Sequence, residues 1–491
     1  MTRLLPGLLR DLAPAFACGV LAALGQAPLA LWPLALIGFA GTIAQVARAA
    51  TARQAMLRAW GAGFGHFGLA LFWIVEPFLI EPEVYGWMAP FALLLMAGGL
   101  ALFWGVAGAI AAWGHDRAFG FAAALAGMEA LRGVIFTGFP WAMPGHIWID
   151  SPVAQGAAYI GANGLTLLTL LVAALPVVLR GQGAILAFAL LGAGYMGGTL
   201  RLAAPEPPAS GLTFRLVQPN AQQHLKWNPD AAEAIFRGLA QATAALPRPD
   251  LVIWPETSLP YLYAPGQDAA LGAARAADGV PLAMGVQRLE GAAAFNSLAV
   301  LGTDGVQLAL YDKAHLVPFG EYVPFGELLY RWFGLRAFAA QQGFGYAAGP
   351  GPRVLDLGPL GKMQPLICYE AVFPVALNAP VERPDWLLHV TNDAWFGTLT
   401  GPFQHAALAR LRAVEQGVPL VRVANTGVTQ MVDARGRVTA ELPFGVQTYL
   451  DAVLPGTMAP TPYRHWGEQP FLVLLAGLSL VLILRRLLRA A

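Results

Sequence analysis

The sequence is poor in charged residues. Only 12% of its 491 residues are charged and 57% are hydrophobic, whereas soluble domains average about 25% charged residues. Half or more of the chain must therefore face something other than water, which excludes a single soluble domain. The formal net charge of +1 at pH 7 gives no indication of a nucleic-acid partner.

Cysteine and lysine are both scarce, which excludes several kinds of site. The two cysteines, Cys18 and Cys368, are far apart, and the eight histidines show no metal-ligand spacing. These patterns argue against a disulfide framework or a zinc site, so we expect neither a metal nor a cofactor. Lysine occurs only at Lys226, Lys313 and Lys362, so a lysine within a motif is hard to attribute to general surface charge. Cys18 lies in an apolar run and is best interpreted as a small buried hydrophobe.

Long apolar runs fill the first two hundred residues. A helix that crosses a bilayer needs about 20 apolar residues, a criterion that predicts about seven spans, followed by one more near the C-terminus. The predicted spans are 11–25, 28–47, 59–80, 87–113, 118–138, 153–179, 183–200 and 471–484. The sequence thus predicts a polytopic helical bundle of about eight spans, with residues 1–203 as the main block and residues 470–486 as a C-terminal transmembrane helix.

The connectors between the predicted spans differ in charge. Arginines precede the first span and follow the second, fourth, sixth and last spans, whereas the other connectors are acidic or neutral. The positive-inside rule then predicts that both termini are cytoplasmic and that the region before the last span faces the opposite side.

The sequence predicts that residues 212–454 form a water-soluble domain. Strand-like runs there alternate with helix-like runs and hairpins, a pattern typical of a layered α/β fold. About 240 residues are enough for one substantial hydrophobic core.

One charged pair lies inside a predicted span. Glu129 and Arg132 are three residues apart, so they share a helix face. Charged groups in a membrane are costly and are usually paired or functional. A structural ion pair and a functional role are equally compatible with the sequence.

Three polar residues end or directly follow strand-like runs of the soluble region. They are Glu256 after Val-Ile-Trp-Pro, Lys313 after Leu-Tyr-Asp, and Cys368 after Pro-Leu-Ile. Each could be an ordinary strand-end carboxylate, a surface lysine or a buried thiol. Their joint occurrence in aromatic and proline-flanked contexts favours a site with a nucleophile, a base and a charge stabiliser.

At this point the sequence resembles the nitrilase superfamily and, more closely, the apolipoprotein N-acyltransferase family. The resemblance covers essentially the whole chain. The stretches that carry it are Thr137-Gly-Phe-Pro-Trp141, Gln218-Pro-Asn220, Trp254-Pro-Glu256, Phe295-Asn-Ser297, Tyr311-Asp-Lys313, Leu316-Val-Pro-Phe-Gly-Glu-Tyr-Val-Pro324, Cys368-Tyr-Glu370, Asn392-Asp-Ala-Trp-Phe-Gly397 and Asn425-Thr-Gly427. It implies an αββα sandwich for residues 212–454 and a multi-pass protein of a bacterial inner membrane, with this domain in the periplasm.

The resemblance also implies a role for each matched residue. Cys368 would be the nucleophile, Glu256 the general base and Lys313 the oxyanion stabiliser, the last together with the backbone N–H of Tyr369. Glu321 would orient Lys313 or the substrate amine. The residues implied to line the site are Trp227, Tyr369, Glu370 and Trp395. A nearby ammonium is expected to lower the pKa of the thiol, and a neighbouring carboxylate can accept its proton.

The implied reaction has two steps and two membrane-held substrates. An acyl chain moves from a phospholipid to Cys368 as a thioester, and then to the α-amino group of the diacylglyceryl-modified N-terminal cysteine of an apolipoprotein. The aromatic stretch 328–346 is predicted to be a lipid-facing lid rather than a plain core helix.

Two other classes of function stay open on the sequence. A membrane-tethered amidase or nitrilase would release acid to water and would need no lipid entry surface. A transporter with a ligand-binding soluble domain would place polar residues along several spans, but only Glu129 and Arg132 form a clear mid-span pair.

Overall fold

The computed structural model of the chain describes residues 4–225, 228–324, 326, 331–332 and 345–490. The helices described, in chain order, are α1 (Leu4–Ala23), α2 (Trp32–Ala47), α3 (Ala52–Ala70), α4 (Pro82–Tyr85), α5 (Ala89–Trp113), α6 (Arg117–Arg132), α7 (Ala157–Ala203), α8 (Pro229–Ala244), α9 (Asp268–Ala277), α10 (Pro374–Asn378), α11 (Gly401–Gln416), α12 (Pro462–Trp466) and α13 (Gln469–Ala490).

The strands are short and lie between residues 213 and 453. They are β1 (Thr213–Gln218), β2 (Leu251–Ile253), β3 (Leu262–Tyr263), β4 (Leu282–Glu290), β5 (Ala293–Leu301), β6 (Gln307–Asp312), β7 (Leu355–Asp356), β8 (Lys362–Ile367), β9 (Trp386–Thr391), β10 (Leu420–Ala424), β11 (Gln430–Val432), β12 (Val438–Glu441) and β13 (Thr448–Val453).

The chain forms two compact units. The first, helical unit comprises Met1–Pro205, Leu399–Leu411 and Pro460–Ala491, and the second comprises Glu206–Thr398 and Arg412–Ala459.

In the helical unit, α3 packs between α1 and α5. Glycines allow this close approach: a Cβ on Gly19 would lie 1.8 Å from the carbonyl oxygen of Ala62, and one on Gly108 would lie 2.6 Å from that of Ala55. Small residues at such crossings are typical of helices that associate in a bilayer, where close packing replaces the hydrophobic effect as the driving force.

Within the described residues, three helical stretches are long and apolar enough to cross a membrane. These stretches are Pro82–Trp113, Pro152–Ala203 and Gln469–Leu488, and a fourth results if Ala52–Ala70 and Phe72–Leu79, which meet at a 47° bend, form one span. The apolar helices are typical of a membrane protein, but the predicted count of about eight spans is not confirmed.

Helix length explains the difference in count. Both α2 and α6 have 16 residues, a rise of about 24 Å at 1.5 Å per residue, which is shorter than a hydrocarbon core of about 30 Å. The predicted spans 153–179 and 183–200 both lie in the stretch Pro152–Ala203, which counts as one. Its backbone is non-helical at Gly161 and at Arg180, and the kink at Arg180 falls between the two predicted spans.

Glu129 and Arg132 form a fully buried ion pair on α6. The indole N–H of Trp104 donates to Glu129 Oε1 at 2.8 Å. The guanidinium of Arg132 also donates to the carbonyl oxygens of Phe139 and Trp141. The pair therefore fixes the turn that follows α6 to the helix itself.

The second unit contains two sheets. One has the strand order β13-β1-β2-β4-β5-β6, with β3 beside β4, and the other has the order β12-β11-β10-β9-β8-β7. Phe214 on β1 and Trp386 on β9 pack with ring centroids 5.0 Å apart, so the sheets meet face to face. This two-sheet arrangement confirms the nitrilase-like fold that the sequence predicted.

Helices pack on the first sheet, and the short helix α10 contacts the second. The apolar sides of α8 and α9 pack on the first sheet, where Leu239 and Ala273 join a buried cluster around Trp254. On the second sheet, Gln364 of β8 donates to the carbonyl oxygen of Ala376 on α10.

Candidate active site

Strand direction brings the three predicted site residues to the ends of strands. In the first sheet β2, β4 and β6 run the same way, because β2 pairs parallel with β4 and antiparallel pairings join β4 to β5 and β5 to β6. Glu256 lies three residues beyond β2 and Lys313 directly follows β6. Cys368 directly follows β8, which pairs parallel with β9, and β9 pairs parallel with β10 in turn. The carboxyl ends of parallel strands are where ligands commonly bind in α/β folds.

Cys368 lies at a sharp turn between β8 and a short 3₁₀-helix, Cys368–Val372. Its φ of 52° falls in the left-handed region, which costs a non-glycine residue of order 1–3 kcal/mol and is found mainly at functional sites. The residue is 5% exposed. Its carbonyl oxygen lies 3.0 Å from Nε2 of the buried His389 on β9, so the neighbouring strand helps to hold the turn.

Lys313 is 1% exposed and carries the ammonium of the site. Its Nζ lies 2.8 Å from Glu321 Oε2 and 3.9 Å from Glu256 Oε1. An ammonium has three N–H donors, and the contact with Glu321 uses one of them. A buried cation that is paired by charge and keeps N–H donors available is suited to stabilise a negative oxygen on a bound substrate.

Both oxygens of the Glu256 carboxylate are held. Oε1 accepts a hydrogen bond from Asn296 Nδ2 at 2.7 Å, and Oε2 accepts one from the backbone N–H of Asn392 at 2.7 Å. Asn392 directly follows β9, and its side chain is fixed in turn by Gln223 and Asn425. Glu256 is 6% exposed, so it is a buried carboxylate of defined orientation.

A glycine makes room for this carboxylate. Gly285 on β4 lies against the backbone after β2, and a Cβ there would lie 2.3 Å from the carbonyl oxygen of Pro255 and 2.5 Å from Cα of Glu256. Any larger residue would displace Glu256.

The electrostatic environment keeps the thiol neutral and the amine charged. Burial raises the pKa of Cys368, the charge of Glu256 raises it further, and Lys313 only partly opposes them. The expected lowering of this pKa by the ammonium is therefore present but outweighed. Burial lowers the pKa of Lys313, but attraction to Glu321, Cys368 and Glu256 raises it above its ordinary value overall.

Glu370 connects the turn at Cys368 with the turn after β6. Its Oε1 accepts hydrogen bonds from Tyr311 Oη, Ala314 N and His315 N at 2.9, 2.8 and 3.1 Å, and its Oε2 accepts one from Ile367 N at 2.8 Å. Burial raises the pKa of this carboxyl despite the backbone donors. The protein itself occupies both oxygens of this side chain.

The other predicted lining residues differ in how they are placed. Tyr369 is buried, and its ring packs edge-on against Phe373 at 4.8 Å and His315 at 5.7 Å. Trp395 is half-buried in the turn after β9. Trp227 lies outside the described residues, as does most of the predicted lid over 328–346.

Sequence reasoning missed Asn296 and Asn392 as parts of the site. Both belong to stretches that carried the family resemblance, Phe295-Asn-Ser297 and Asn392-Asp-Ala-Trp-Phe-Gly397. Their presence in these stretches was the only indication in the sequence that Asn296 and Asn392 belong to the site. Within the described residues, no cluster of three or more histidine, cysteine or carboxylate side chains could hold a metal ion.

Family models match both parts of the chain. The model described as Apolipoprotein N-acyltransferase N-terminal domain matches residues 18–175, and the model described as Carbon-nitrogen hydrolase matches residues 215–463. The apolipoprotein N-acyltransferase of Caulobacter vibrioides is 40% identical, with 94% of this chain and 92% of the relative covered. That of Rhodopseudomonas palustris is 36% identical, with 96% and 94% covered. A solved CN-hydrolase superfamily protein from Xanthomonas campestris is 21% identical, covers 50% of this chain and 90% of its own, and has a TM-score of 0.38.

Proposed function

The chain belongs to the apolipoprotein N-acyltransferase family, and we propose that it moves an acyl chain from a membrane phospholipid to the N-terminus of an apolipoprotein through a thioester on Cys368. Family membership and the carbon-nitrogen hydrolase domain support an acyltransferase of lipoprotein maturation. The observation that carries the finer proposal is the burial of Glu256, Lys313 and Cys368, each at or just past the end of a strand, with Lys313 Nζ 3.9 Å from Glu256 Oε1.

In the first step, Glu256 takes the proton of the Cys368 thiol, and the thiolate attacks an ester carbonyl of the phospholipid. Lys313 and the backbone N–H of Tyr369 stabilise the oxyanion that forms. The C–O bond to glycerol breaks, the leaving oxygen takes the proton from Glu256, and a lysophospholipid departs. Because the thiol is neutral at rest, the base is needed at the moment of attack.

In the second step, the α-amino group of the diacylglyceryl cysteine attacks the thioester carbonyl. Its proton passes to Glu256, the C–S bond breaks, and the proton returns to sulfur. The products are an amide on the lipoprotein and the free thiol of Cys368. Two steps allow each bilayer-held substrate to visit the site alone.

The supporting residues act around this centre. Glu321 holds Lys313 by charge, and Glu370 fixes the turns that present Cys368 and Lys313. Tyr369 and Trp395 line the substrate space, and the family resemblance implies the same role for Trp227.

The proposal extends to the arrangement of the chain. Residues 212–454 form the catalytic domain, residues 1–203 form the membrane bundle, and residues 470–486 form a last transmembrane helix. The catalytic domain faces the periplasm, and both termini are cytoplasmic.

The decisive experiment uses the full chain in detergent or vesicles with a phospholipid labelled in its acyl chain and no acceptor. We expect label on Cys368 that neutral hydroxylamine removes, as for a thioester. Cys368→Ala should lose label and transfer, and Cys368→Ser should be nearly inactive, because a hydroxyl is much harder to deprotonate than a thiol.

Two outcomes would contradict the proposal. Normal transfer by Cys368→Ala would exclude the thioester route. Faster release of free fatty acid to water than acylation of a diacylglyceryl peptide would show a hydrolase instead.

A further inference from the structure

Asn296 contacts both carboxylates beside Lys313 and the main chain of Lys313 itself. It lies on β5 and is 3% exposed. Its Nδ2 donates to Glu256 Oε1 at 2.7 Å and to Glu321 Oε1 at 3.0 Å. Its main-chain carbonyl accepts a hydrogen bond from the backbone N–H of Lys313 at 2.9 Å. Asn296 thus connects the backbone of Lys313 with the side chains of Glu256 and Glu321.

The orientation of the Asn296 amide follows from what surrounds it. Its NH₂ group faces two carboxylate oxygens, and the reverse orientation would place Oδ1 against those same oxygens. Oδ1 is buried and has no hydrogen-bond partner among the described residues. Leaving a buried acceptor unpaired costs free energy. The two hydrogen bonds that the NH₂ group donates to the carboxylates offset this cost.

The other oxygen of each carboxylate already has a partner. Glu256 Oε2 accepts from the backbone N–H of Asn392, and Glu321 Oε2 accepts from that of Val317 at 2.9 Å and pairs with Lys313. The two remaining oxygens, Oε1 of Glu256 and Oε1 of Glu321, are those that Asn296 holds. Without this shared donor, two buried carboxylates that both contact one NH₂ group would repel each other.

We propose that Asn296 is a positioning residue that holds Glu256 and Glu321 apart and keeps Glu256 oriented to accept the proton of the Cys368 thiol. This inference rests on the proposed function, because Glu256 is the base only in that mechanism. The amide is suited to the role since it donates two hydrogen bonds and cannot itself ionise.

Several titratable side chains interact with Asn296 or with the groups it holds, and they contribute to any pH dependence of the acylation rate. Those that contact Asn296 or act electrostatically on the groups it holds are Glu256, Glu321, Lys313, Cys368, Tyr346 and Glu370.

The test compares the pH profile of Cys368 acylation in the wild type, Asn296→Asp and Asn296→Ala, with labelled phospholipid as the probe. Aspartate has nearly the same shape but adds a third carboxyl beside one ammonium. The cluster then retains an extra proton, so the rising limb of the profile should move up by about one pH unit or more. Alanine introduces no charge but removes the donor, so the rate at pH 7 should fall by about tenfold or more.

Ser297→Ala is the matched control. Ser297 is the next residue on β5, and its hydroxyl donates to Asp312 at 2.6 Å, away from the two glutamates. Its loss should lower thermal stability without moving the pH profile. A folded Asn296→Asp with the wild-type rate and profile would overturn the inference while the thioester still forms. A wild type that never acquires label would instead overturn the proposed function itself.

Discussion

At the scale of single residues, the centre balances two opposing demands. Burial disfavours the charged form of every group in it, yet Lys313 must stay charged to stabilise an oxyanion, and Cys368 must ionise during the reaction. The carboxylates resolve this conflict for the lysine, since Glu321 and Glu256 raise its pKa against the effect of burial. For the cysteine, Glu256 acts with burial and raises the pKa of the thiol.

This balance predicts the reactivity of the thiol. In Cys18→Ala, where Cys368 is the sole cysteine, alkylation by iodoacetamide should still accelerate as the pH rises past about 8.5, the ordinary thiol value. The reason is that a raised pKa leaves less thiolate at every pH below it. Lys313→Met should move the profile to still higher pH, because Lys313 lowers the pKa. The denatured protein serves as the control, and a rate plateau below pH 8 in the folded protein would contradict the prediction.

Lys313 gives a second prediction at this scale. Lys313→Met should reduce the acylation rate by about 10²–10³, because removing one oxyanion donor is typically worth roughly 2.7–4 kcal/mol. The measurement is single-turnover labelling of Cys368. Lys362→Met is the matched control, since Lys362 is 42% exposed and pairs with Glu382. Equal losses in the two variants would show that Lys313 has no special role.

The sequence indicated some of these residues but not others, for a physical reason. Glu256, Lys313 and Cys368 each follow an apolar run, and the end of a buried strand is a local property of the sequence. Asn296 lies inside a strand, and its contacts depend on how β5 pairs with β4 and β6. Asn392 contributes a backbone N–H, which every residue but proline possesses, so its side chain could not reveal the contact.

At the scale of helices and strands, hydropathy located the apolar segments correctly but did not locate the breaks between helices within them. The window that predicted a span over 59–80 covered α3 and the 3₁₀-helix Phe72–Leu79, which the structure bends at Leu71. A break of this kind changes backbone direction without changing composition. The alternation of strands and helices in 212–454 predicted the layered α/β class, whereas the order of strands within each sheet depends on long-range pairing.

The turn after α6 provides an element-scale prediction. Glu129→Gln should destabilise the protein by about 3–5 kcal/mol, because it leaves the Arg132 guanidinium buried beside a neutral partner. The contacts of Arg132 with the carbonyl oxygens of Phe139 and Trp141 favour a structural role, so the protein that remains folded should keep its specific activity. Thermal unfolding and a transfer assay on the same preparation measure the two quantities.

Glu233→Gln is the control for that experiment. Glu233 pairs with Arg237 on α8, but the side chains are 73% and 63% exposed, and exposed pairs contribute little. Normal stability together with lost activity in Glu129→Gln would place the pair on the functional side.

At the scale of the whole molecule, orientation follows from charge rather than from folding. Both proposed substrates are held in a bilayer, so the proposed catalytic domain must act at the membrane surface, and the orientation of its anchors decides on which side. The arginines in alternate connectors of the first block and at Arg485, Arg486 and Arg489 supply the signal that sets such an orientation, because basic segments are retained on the cytoplasmic side.

The last prediction tests this orientation directly. Fusions of a reporter after Gly211, at the start of the catalytic region, should be active only in the periplasm, and fusions after Ala491 should be active only in the cytoplasm. The two sites differ because an odd number of crossings precedes residue 211 and one more follows the catalytic region.

Paired reporters, one active only after export and one active only before it, provide the internal control at each site. If both sites report the same compartment, α13 does not span the membrane. If Gly211 reports the cytoplasm, the crossings before it are even in number and the periplasmic assignment fails. Replacing the C-terminal arginines Arg485, Arg486 and Arg489 by glutamine should weaken the cytoplasmic signal at Ala491 and leave that at Gly211 unchanged, because the earlier arginines still set the first block.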